Sequence, residues 1–450
     1  MSGEQAYSVN IVGAGLAGAL LALLLARRGL RVALYERRPD PRQSQPERGR
    51  SINLALAARG VRALERAGVM ERVQPLLIAM RGRMVHEPSG HAALQPYGQR
   101  AHEVIYSVGR ADLNRVLIEE AARHAGVSVR FNHTCLGADL QHDRLHFRDQ
   151  VSGGVREAAL TPTIATDGAG SVLRASLAAV GGVTAREEWL DHDYKELTVA
   201  PGTAGALERH ALHIWPRGGF MLIALPNTDG SFTATLFLPR HGERSFAALD
   251  GPQAVTRFFE REFPDALPLL PDLAAQFAAH PQGQLGTVHA TPWHVGGRVL
   301  LLGDAAHAIV PFHGQGMNAA FEDCAALDEL LAAGGDWPTL FAQFESQRRP
   351  NTAAIAQMAL ENYAEMRDAV LDAGFVRRKA LAMALERRFP ERFIPRYSMV
   401  MFHPEIPYAE ALRRGVLQAR LLEELDAAAD GAADGALAAR LVSERLPPLA

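Results

Sequence analysis

The first forty residues contain two short apolar runs, separated by a glycine-rich segment and a longer apolar stretch. Residues 8–13 predict a buried strand, and Arg31–Glu36 predicts a second one. The stretch between them predicts a helix that ends at Arg27-Arg28-Gly29, because glycine often follows the last residue of a helix. The pattern therefore indicates a β-α-β unit of about 30 residues, the setting in which dinucleotide-binding fingerprints occur.

The middle of the chain changes from a helical period to a period of two. A helix is predicted for residues 107–124 and a strand for Val127–Phe131. Further on, apolar runs alternate with glycine-rich turns and predict an antiparallel sheet. Its predicted strands are Leu212–Trp215, Met221–Leu225 and Phe232–Leu238. The pattern of a buried strand returns at Val299–Gly303.

The chain after Gly316 is predicted to be almost entirely helical. The predicted segments are helices over residues 316–333, 350–372 and 405–445, with a low-complexity, mobile connection at 426–437. Together the patterns predict an α/β protein with a nucleotide-binding domain in two parts, an inserted antiparallel sheet and a helical C-terminal region. The predicted boundaries are residues 1–180 with an excursion near 75–105, then 181–290, 291–350 and 351–450.

Composition narrows the class of protein and its partners. Of the 450 residues, 48% are hydrophobic and 22% charged, which is ordinary for a soluble globular chain. Lys and Arg number 47 against 50 Asp and Glu, so no field of one sign favours nucleic acid or an anionic membrane as a partner. Cys135 and Cys324 have no metal-ligand spacing, which predicts no metal and a reducing, cytoplasmic location. No apolar run approaches the roughly 18 residues of a transmembrane helix.

A glycine fingerprint lies at the turn between the first strand and the first helix. In Gly13-x-Gly15-x-x-Gly18 the glycines allow a tight turn, a close approach of the backbone to a pyrophosphate, and close packing of helix on strand. Glu36, at the end of the second strand, can accept hydrogen bonds from both ribose hydroxyls and disfavours a 2′-phosphate. These signals favour a dinucleotide over a ligand-free turn, but they do not separate NAD from FAD.

Two later motifs favour FAD over NAD, because they resemble motifs of a known family. Ala165-Thr166-Asp167-Gly168 and Leu302–His307, the latter followed by Gly314–Asn318, resemble the FAD-dependent aromatic hydroxylases. The resemblance implies a Rossmann-like FAD-binding domain with an inserted substrate domain. It places Asp304 on a ribityl hydroxyl, Asp167 near the pyrophosphate and Arg110 at the cofactor. The residues assigned to FAD are Gly13, Gly15, Leu16, Ala17, Gly18, Glu36, Arg37, Arg50, Leu54, Arg110, Asp167, Gly168, Gly303, Asp304, Gly314, Gln315, Gly316, Met317 and Asn318.

One residue departs from that pattern, and one helix has a predicted electrostatic role. Thr166 stands where the hydroxylases usually have alanine. A helix beginning near Gly316 is predicted to aim its free N–H groups at the flavin and to stabilise negative charge on the reduced ring.

Several longer strings narrow the resemblance to the kynurenine 3-monooxygenase family, over about residues 8–408. The strings are Gly49–Leu56, Met80–Met84, Gln95–Gly98, Leu360–Tyr363 and Phe393–Val400. Family members from animals and fungi add a C-terminal membrane anchor, so the resemblance is to the soluble bacterial type. No membrane partner is expected.

The same resemblance implies the substrate contacts. Arg83 and Tyr97 would bind the amino-acid carboxylate, and Asn362 and Tyr397 would complete the polar end. The residues expected to line the ring pocket are Leu212, Met221, Ile223, Phe237, Pro311, Phe312 and His313. Neither His307 nor His313 is given a proton-transfer role, so positioning rather than a catalytic side chain is expected.

The implied reaction is hydroxylation of L-kynurenine to 3-hydroxykynurenine by FAD, NADPH and O2 through a C4a-hydroperoxyflavin. With no second dinucleotide fingerprint, NADPH is expected to dock transiently. The alternatives are a hydroxylase of another aromatic acid, an NAD-dependent dehydrogenase, and a flavin-binding module without turnover. The sequence leaves the oligomeric state open, a dimer included.

Overall fold

The computed structural model describes residues 8–43, 53–428 and 435–449. The strands are β1 (Val9–Val12), β2 (Val32–Tyr35), β3 (Asn53–Leu56), β4 (Ile78–Met80), β5 (Gly82–His86), β6 (Ala92–Pro96), β7 (Ile105–Gly109), β8 (Val127–Arg130), β9 (His133–Asp139), β10 (Arg144–Asp149), β11 (Val155–Ala159), β12 (Thr163–Ala165), β13 (Thr184–Val199), β14 (Ala211–Pro216), β15 (Met221–Pro226), β16 (Phe232–Pro239), β17 (Gln282–Thr291), β18 (His294–Val295) and β19 (Val299–Leu301).

The helices complete the element order. They are α1 (Leu16–Arg27), α2 (Ala58–Arg66), α3 (Met70–Val73), α4 (Arg110–Ala122), α5 (Val172–Ala179), α6 (Pro252–Glu262), α7 (Leu273–Ala279), α8 (Asp304–His307), α9 (Gly316–Ala333), α10 (Trp337–Ala364), α11 (Ala373–Arg388), α12 (Arg396–Phe402), α13 (Tyr408–Ala427) and α14 (Ala436–Arg445). Within the described ranges, none of them combines the length and the apolar character needed to cross a bilayer.

The chain divides into two compact units, each made of several segments. Unit 1 is Met1–Leu77, Val108–Trp189 and Gly286–Ala353, and unit 2 is Ile78–Ser107, Leu190–Leu285 and Ala354–Ala450. The domain boundaries drawn from the sequence stay a prediction.

Unit 1 is built on a six-stranded sheet with the order β18-β19-β12-β1-β2-β8. Its strands pair in parallel except for the edge pair of β18 and β19. The predicted β-α-β unit is confirmed, since β1 and β2 are neighbours joined by α1. Gly29 has a φ of +81° just after that helix, which explains why glycine stands there.

A second sheet in unit 1 was not predicted from the sequence. Strands β9, β10 and β11 form an antiparallel three-stranded sheet. The outer strand β11 (Val-Arg-Glu-Ala-Ala) is almost wholly exposed, so it shows no alternation of apolar and polar side chains. A strand of this kind is fixed by its partner rather than by its own pattern.

Most of a seven-stranded sheet lies in unit 2, with the order β17-β13-β16-β15-β14-β5-β6. The predicted antiparallel strands are confirmed, because β14 pairs with β15, and β15 with β16, as two successive hairpins. The sheet is not wholly antiparallel, however: β14 pairs with β5 in parallel. One face packs against α6 and α7 in a core that includes Leu222, Leu236 and Phe259.

The C-terminal helices differ from the prediction in their limits. The helix predicted from residue 350 begins at Trp337, so Pro350 lies inside α10. Proline favours a helix start, but Phe341 and Phe344 are fully buried and hold the preceding turns in helical form. The helical segment predicted over 405–445, with its connection at 426–437, contains two helices, of which α13 ends at Ala427 and α14 begins at Ala436. The predicted connection at 426–437 falls partly outside the described residues.

Candidate active site

Each of the three fingerprint positions requires or allows glycine for a different structural reason. Gly13 has a φ of +102°, and a Cβ there would lie 2.5 Å from the carbonyl oxygen of Thr166. A Cβ on Gly18 would overlap the carbonyl oxygen of Gly13. At Gly15, in contrast, no atom of the described residues other than Gly15 and its two chain neighbours lies within 4 Å of the Cβ position. Gly15 precedes α1, whose first turn has no acidic residue, so this helix N-terminus offers space and N–H donors to a phosphate.

Glu36 is fixed beside the glycine loop. Its Oε2 accepts a hydrogen bond from the N–H of Ala14 at 2.9 Å. Its Oε1 accepts from the backbone N–H and the Nε of Arg38, at 3.0 and 2.9 Å. A carboxylate has about four acceptor positions, so these three bonds leave Oε2 able to accept one more. That capacity suits one ribose hydroxyl rather than the two that were predicted, and the contact of Glu36 with a ribose stays a prediction.

The side chains of Thr166 and Asp167, which follow β12, form hydrogen bonds to the end of β1 and to the start of α5. The Thr166 hydroxyl lies 2.7 Å from the carbonyl oxygen of Gly13 and 3.1 Å from that of Val12, so it can donate to either. Asp167 accepts from the hydroxyl of Ser171 at 2.6 Å and from the N–H of Leu173 at 3.2 Å. Burial raises the pKa of Asp167 above its ordinary value. The carboxylate thus stabilises the start of α5, and its nearness to a pyrophosphate stays a prediction.

Behind the Gly303–Asp304 turn lies a buried carboxylate that sequence analysis missed. Asp323 is fully buried and accepts from the N–H of Gly303 at 3.2 Å, His307 Nε2 at 2.6 Å and Arg348 Nε at 2.7 Å. Burial works to raise the pKa of Asp323, but His307 and Arg348 more than offset it and lower that pKa. The network fixes the turn, which leaves the Asp304 side chain exposed.

The Asn318 side chain bonds to backbone on both sides of it, and its assignment to FAD stays a prediction. Its Oδ1 accepts from the N–H of Ala57 at 2.9 Å, and its Nδ2 donates to the carbonyls of Ala55 and Gly314 at 2.8 and 2.9 Å. The side chain therefore holds the turn that precedes α9. That helix begins at Gly316, as predicted, and its first turn has no acidic residue.

The other residues assigned to FAD are distributed over the same unit. The first turn of α1 contains Leu16 and Ala17, and the first turn of α9 contains Gly316 and Met317, directly after Gln315. Leu54 lies on β3, and Gly168 follows Asp167. Two of the assigned residues are exposed, namely Arg37 and Arg110. Arg50 lies outside the described residues. The open space at Gly15 and the spare acceptor of Glu36 fit a dinucleotide such as FAD.

In unit 2 the central feature is a buried guanidinium. Arg83, on β5, has an exposed fraction of 4%. Its Nη1 donates to Glu365 Oε1 at 3.2 Å, and its Nη2 lies 3.4 Å from Asn362 Oδ1. Its Nε is buried and has no hydrogen-bond partner in the part of the chain that the structure describes. A buried donor without a partner fits an incoming anion.

Two tyrosines flank this guanidinium. The Cζ of Arg83 lies 4.9 Å from the ring centroid of Tyr397 and 5.9 Å from that of Tyr97. The two rings are stacked, with centroids 5.6 Å apart and an interplanar angle of 16°. Burial raises the pKa of both phenols, so each keeps its proton as a possible donor. Burial opposes the charge of Arg83, but Tyr397 and Glu365 raise its pKa above the ordinary value.

The apolar residues predicted for the ring pocket in unit 2 share one face of the sheet. Leu212 is paired with Arg83, and Met221 with Phe237, while Ile223 stands two residues from Met221. Paired residues and residues two apart point to the same side of a sheet. This face is opposite to the core on α6 and α7. The remaining predicted residues, Pro311, Phe312 and His313, are in unit 1, where Pro311 is exposed and the other two are buried.

The structure adds three polar residues to the Arg83 cluster. Gln95 is paired directly with Arg83 across β5 and β6. Lys379, on α11, places its Nζ 3.3 Å from Gln95 Oε1. Glu365 stands three residues after Asn362, a helical spacing that could have indicated it from the sequence. Lys379 has no local signal, because its position follows from how α11 packs.

Comparison with known sequences gives matches over almost the whole chain. The family described as FAD binding domain matches residues 6–359. The chain is 50% identical over 424 residues to the kynurenine 3-monooxygenase of Stenotrophomonas maltophilia (strain K279a), covering 94% of this chain and 93% of that protein. It is 46% identical over 452 residues to the kynurenine 3-monooxygenase of Myxococcus xanthus (strain DK1622), covering 100% and 97%.

Comparison with solved structures gives the fold. 2-Methyl-3-hydroxypyridine-5-carboxylic acid oxygenase aligns with a TM-score of 0.65 and 20% identity, over 81% of this chain and 94% of that one. p-Nitrophenol 4-monooxygenase from Pseudomonas putida DLL-E4 aligns with a TM-score of 0.67 and 18% identity, over 93% and 98%. The predicted fold class, a Rossmann-like FAD-binding domain with an inserted sheet and C-terminal helices, is confirmed.

Proposed function

The chain belongs to the kynurenine 3-monooxygenase family, and from this membership we propose that it hydroxylates L-kynurenine to 3-hydroxykynurenine with NADPH as reductant and O2 as the oxygen source. It is a flavin-dependent monooxygenase with FAD as its cofactor. The observation that carries the choice of substrate is the buried Arg83, whose Nε lies beside two stacked tyrosines and has no hydrogen-bond partner among the described residues. Such a site suits the carboxylate of an aromatic amino acid.

Unit 1 would hold the cofactor. The N-terminus of α1 at Gly15 would take the pyrophosphate, Glu36 a ribose hydroxyl and the exposed Asp304 a ribityl hydroxyl. When bound, FAD supplies the redox chemistry: it takes electrons from NADPH and activates O2 for insertion into an aromatic ring. The uncapped N-terminus of α9 favours negative charge near Gly316.

Unit 2 would bind the substrate. The guanidinium of Arg83 presents a planar set of donors to a carboxylate, and Tyr97 and Tyr397 add neutral O–H donors. The apolar face with Leu212, Met221 and Phe237 suits an aromatic ring. Kynurenine carries a ring amine that donates electrons to the adjacent carbon, so no strong base is required of the chain. The role of these residues is to orient the ring.

Aerobic turnover of the purified yellow protein tests this function. NADPH oxidation should be slow alone and faster with L-kynurenine, and mass spectrometry should show a product with one added oxygen atom. Stimulation by p-hydroxybenzoate or phenol instead of kynurenine would point to another aromatic substrate. A colourless protein that takes up no FAD would favour a dehydrogenase, and a yellow protein without turnover would favour a flavin-binding module.

Replacing Thr166 should weaken FAD binding modestly. Thr166→Ala removes the hydroxyl that bonds to the carbonyls of Val12 and Gly13, whereas Thr166→Ser keeps it. A neutral hydrogen bond contributes about 0.5–1.5 kcal/mol, so the FAD Kd of the alanine variant should rise roughly twofold to tenfold. Quenching of flavin fluorescence measures this Kd. Equal Kd values for the two variants would mean that the hydroxyl does not position the loop.

A further inference from the structure

We propose that Lys379 is a second cation of the substrate site, and that the kynurenine carboxylate binds preferentially when Lys379 is protonated. The proposal rests on the proposed function and deepens it, because it adds a positioning residue and a proton to the binding step. None of the strings that carried the family resemblance includes Lys379.

The location of Lys379 places its ammonium group at the strand partner of Arg83. Its Nζ is 3.3 Å from Gln95 Oε1, and Gln95 is the residue paired directly with Arg83 on the neighbouring strand. Side chains of directly paired residues stand about 4.5–5.5 Å apart at their Cβ atoms. Helix α11 thus positions the ammonium group of Lys379 at the paired strands β5 and β6, of which β5 contains Arg83.

The charges around this point leave an excess of positive charge. Arg83 and Lys379 are cations, and the carboxylate that bonds to Arg83 is that of Glu365. Tyr97 and Tyr397 stay neutral, because burial raises the pKa of both phenols. Among the described residues, this leaves two cations with one bonded carboxylate, and a further anion stabilises such a group because Arg83 is buried and Lys379 is half-buried. A substrate carboxylate would supply it.

The balance at Lys379 depends on what occupies the site. Burial and the charge of Arg83 lower the pKa of Lys379, Glu365 raises it, and the result is about 8. On α13, Asp426 pairs with Arg377 and Arg378 of the same helix as Lys379. Because its pKa is about 8, Lys379 is mostly protonated at pH 7 and mostly neutral at pH 9. An added carboxylate would raise this pKa, so above pH 8 binding of substrate must take up a proton.

Kynurenine titrations at two pH values test the proposal. The Kd of the holoenzyme, followed by the change in flavin absorbance, should rise roughly tenfold from about pH 7 to about pH 9. Lys379→Met should bind roughly tenfold more weakly at pH 7 and show little pH dependence. Lys379→Arg should bind tightly at both values, because arginine keeps its charge throughout. Rescue by arginine would not follow from a merely structural role.

A control removes the titration of the ligand itself. 4-(2-Aminophenyl)-4-oxobutanoate has the carboxylate and ring of kynurenine but no α-amino group, so the same pH dependence should remain with it. A wild-type Kd that stays constant from pH 7 to pH 9 would overturn the inference. So would a Lys379→Met enzyme with the wild-type Kd at pH 7.

The outcomes separate this inference from the proposed function. If wild type neither binds nor hydroxylates kynurenine, the proposed function fails. If wild type hydroxylates kynurenine with a pH-independent Kd, only the role of Lys379 fails. The pH profile of wild type and the Lys379→Arg variant decide the question even where Lys379→Met does not fold.

Discussion

Replacing Arg83 with methionine is expected to raise the KM for L-kynurenine roughly tenfold to a hundredfold. Methionine keeps a long side chain against the two stacked tyrosines but removes every donor of the guanidinium. Hydrogen bonds to a charged group contribute about 1.5–3 kcal/mol, which gives that range. A carboxylate anchor is made in the ground state and in the transition state alike, so kcat should change less than KM. Steady-state kinetics with saturating NADPH measure both.

The neighbouring Arg81 provides a matched control. It lies two residues before Arg83 but is exposed, so Arg81→Met should leave the KM for kynurenine unchanged. Arg83→Lys should fall between wild type and Arg83→Met, because lysine keeps the charge but loses the planar arrangement of donors. The FAD content of all variants should equal that of wild type. An Arg83→Met enzyme with the wild-type KM would remove Arg83 from the substrate site.

Local patterns in the sequence were sufficient for much of the fold. The β-α-β unit and the hairpins of β14 to β16 depend on apolar runs and glycine turns that are adjacent in the sequence. The parallel pairing of β14 with β5 joins segments more than a hundred residues apart. No local pattern contains that pairing. Strand β11 follows β10 directly in the sequence, but its side chains are almost wholly exposed, so it has no alternation of apolar and polar residues by which it could be predicted.

The candidate site follows the same division. The glycine fingerprint and Glu36 lie within one β-α-β unit, so their pattern alone predicted a dinucleotide site. Arg83, in contrast, was assigned to the substrate only through a family resemblance. By itself an arginine in a sequence is most often a solvated surface residue. What makes Arg83 different is burial beside Asn362 and Glu365, almost 300 residues away. Lys379 was missed because its pKa and its neighbours depend entirely on tertiary packing.

Replacing Asp323 with asparagine is expected to lower the free energy of unfolding by about 3 kcal/mol. Asparagine keeps the shape of the side chain but removes the charge that balances the buried Arg348. Breaking a buried ion pair costs about 3–5 kcal/mol, and the lower end applies because Glu322 still pairs with Arg348 at 2.7 Å. Chemical denaturation of the holoenzyme measures the loss. FAD affinity should fall as well, since Asp323 also holds the N–H of Gly303.

The pH dependence of that loss follows from the charge of Asp323. Because its pKa is lowered in the folded protein, the carboxylate adds stability above its unfolded pKa of about 3.9 and loses that advantage as the pH falls further. The difference between wild type and Asp323→Asn should therefore shrink below about pH 4. Glu329 lies on the same helix, is exposed and pairs with Arg66, so Glu329→Gln should change stability by less than about 1 kcal/mol. Equal denaturation midpoints for Asp323→Asn and Glu329→Gln at neutral pH would show that the buried charge does not stabilise the turn at Gly303.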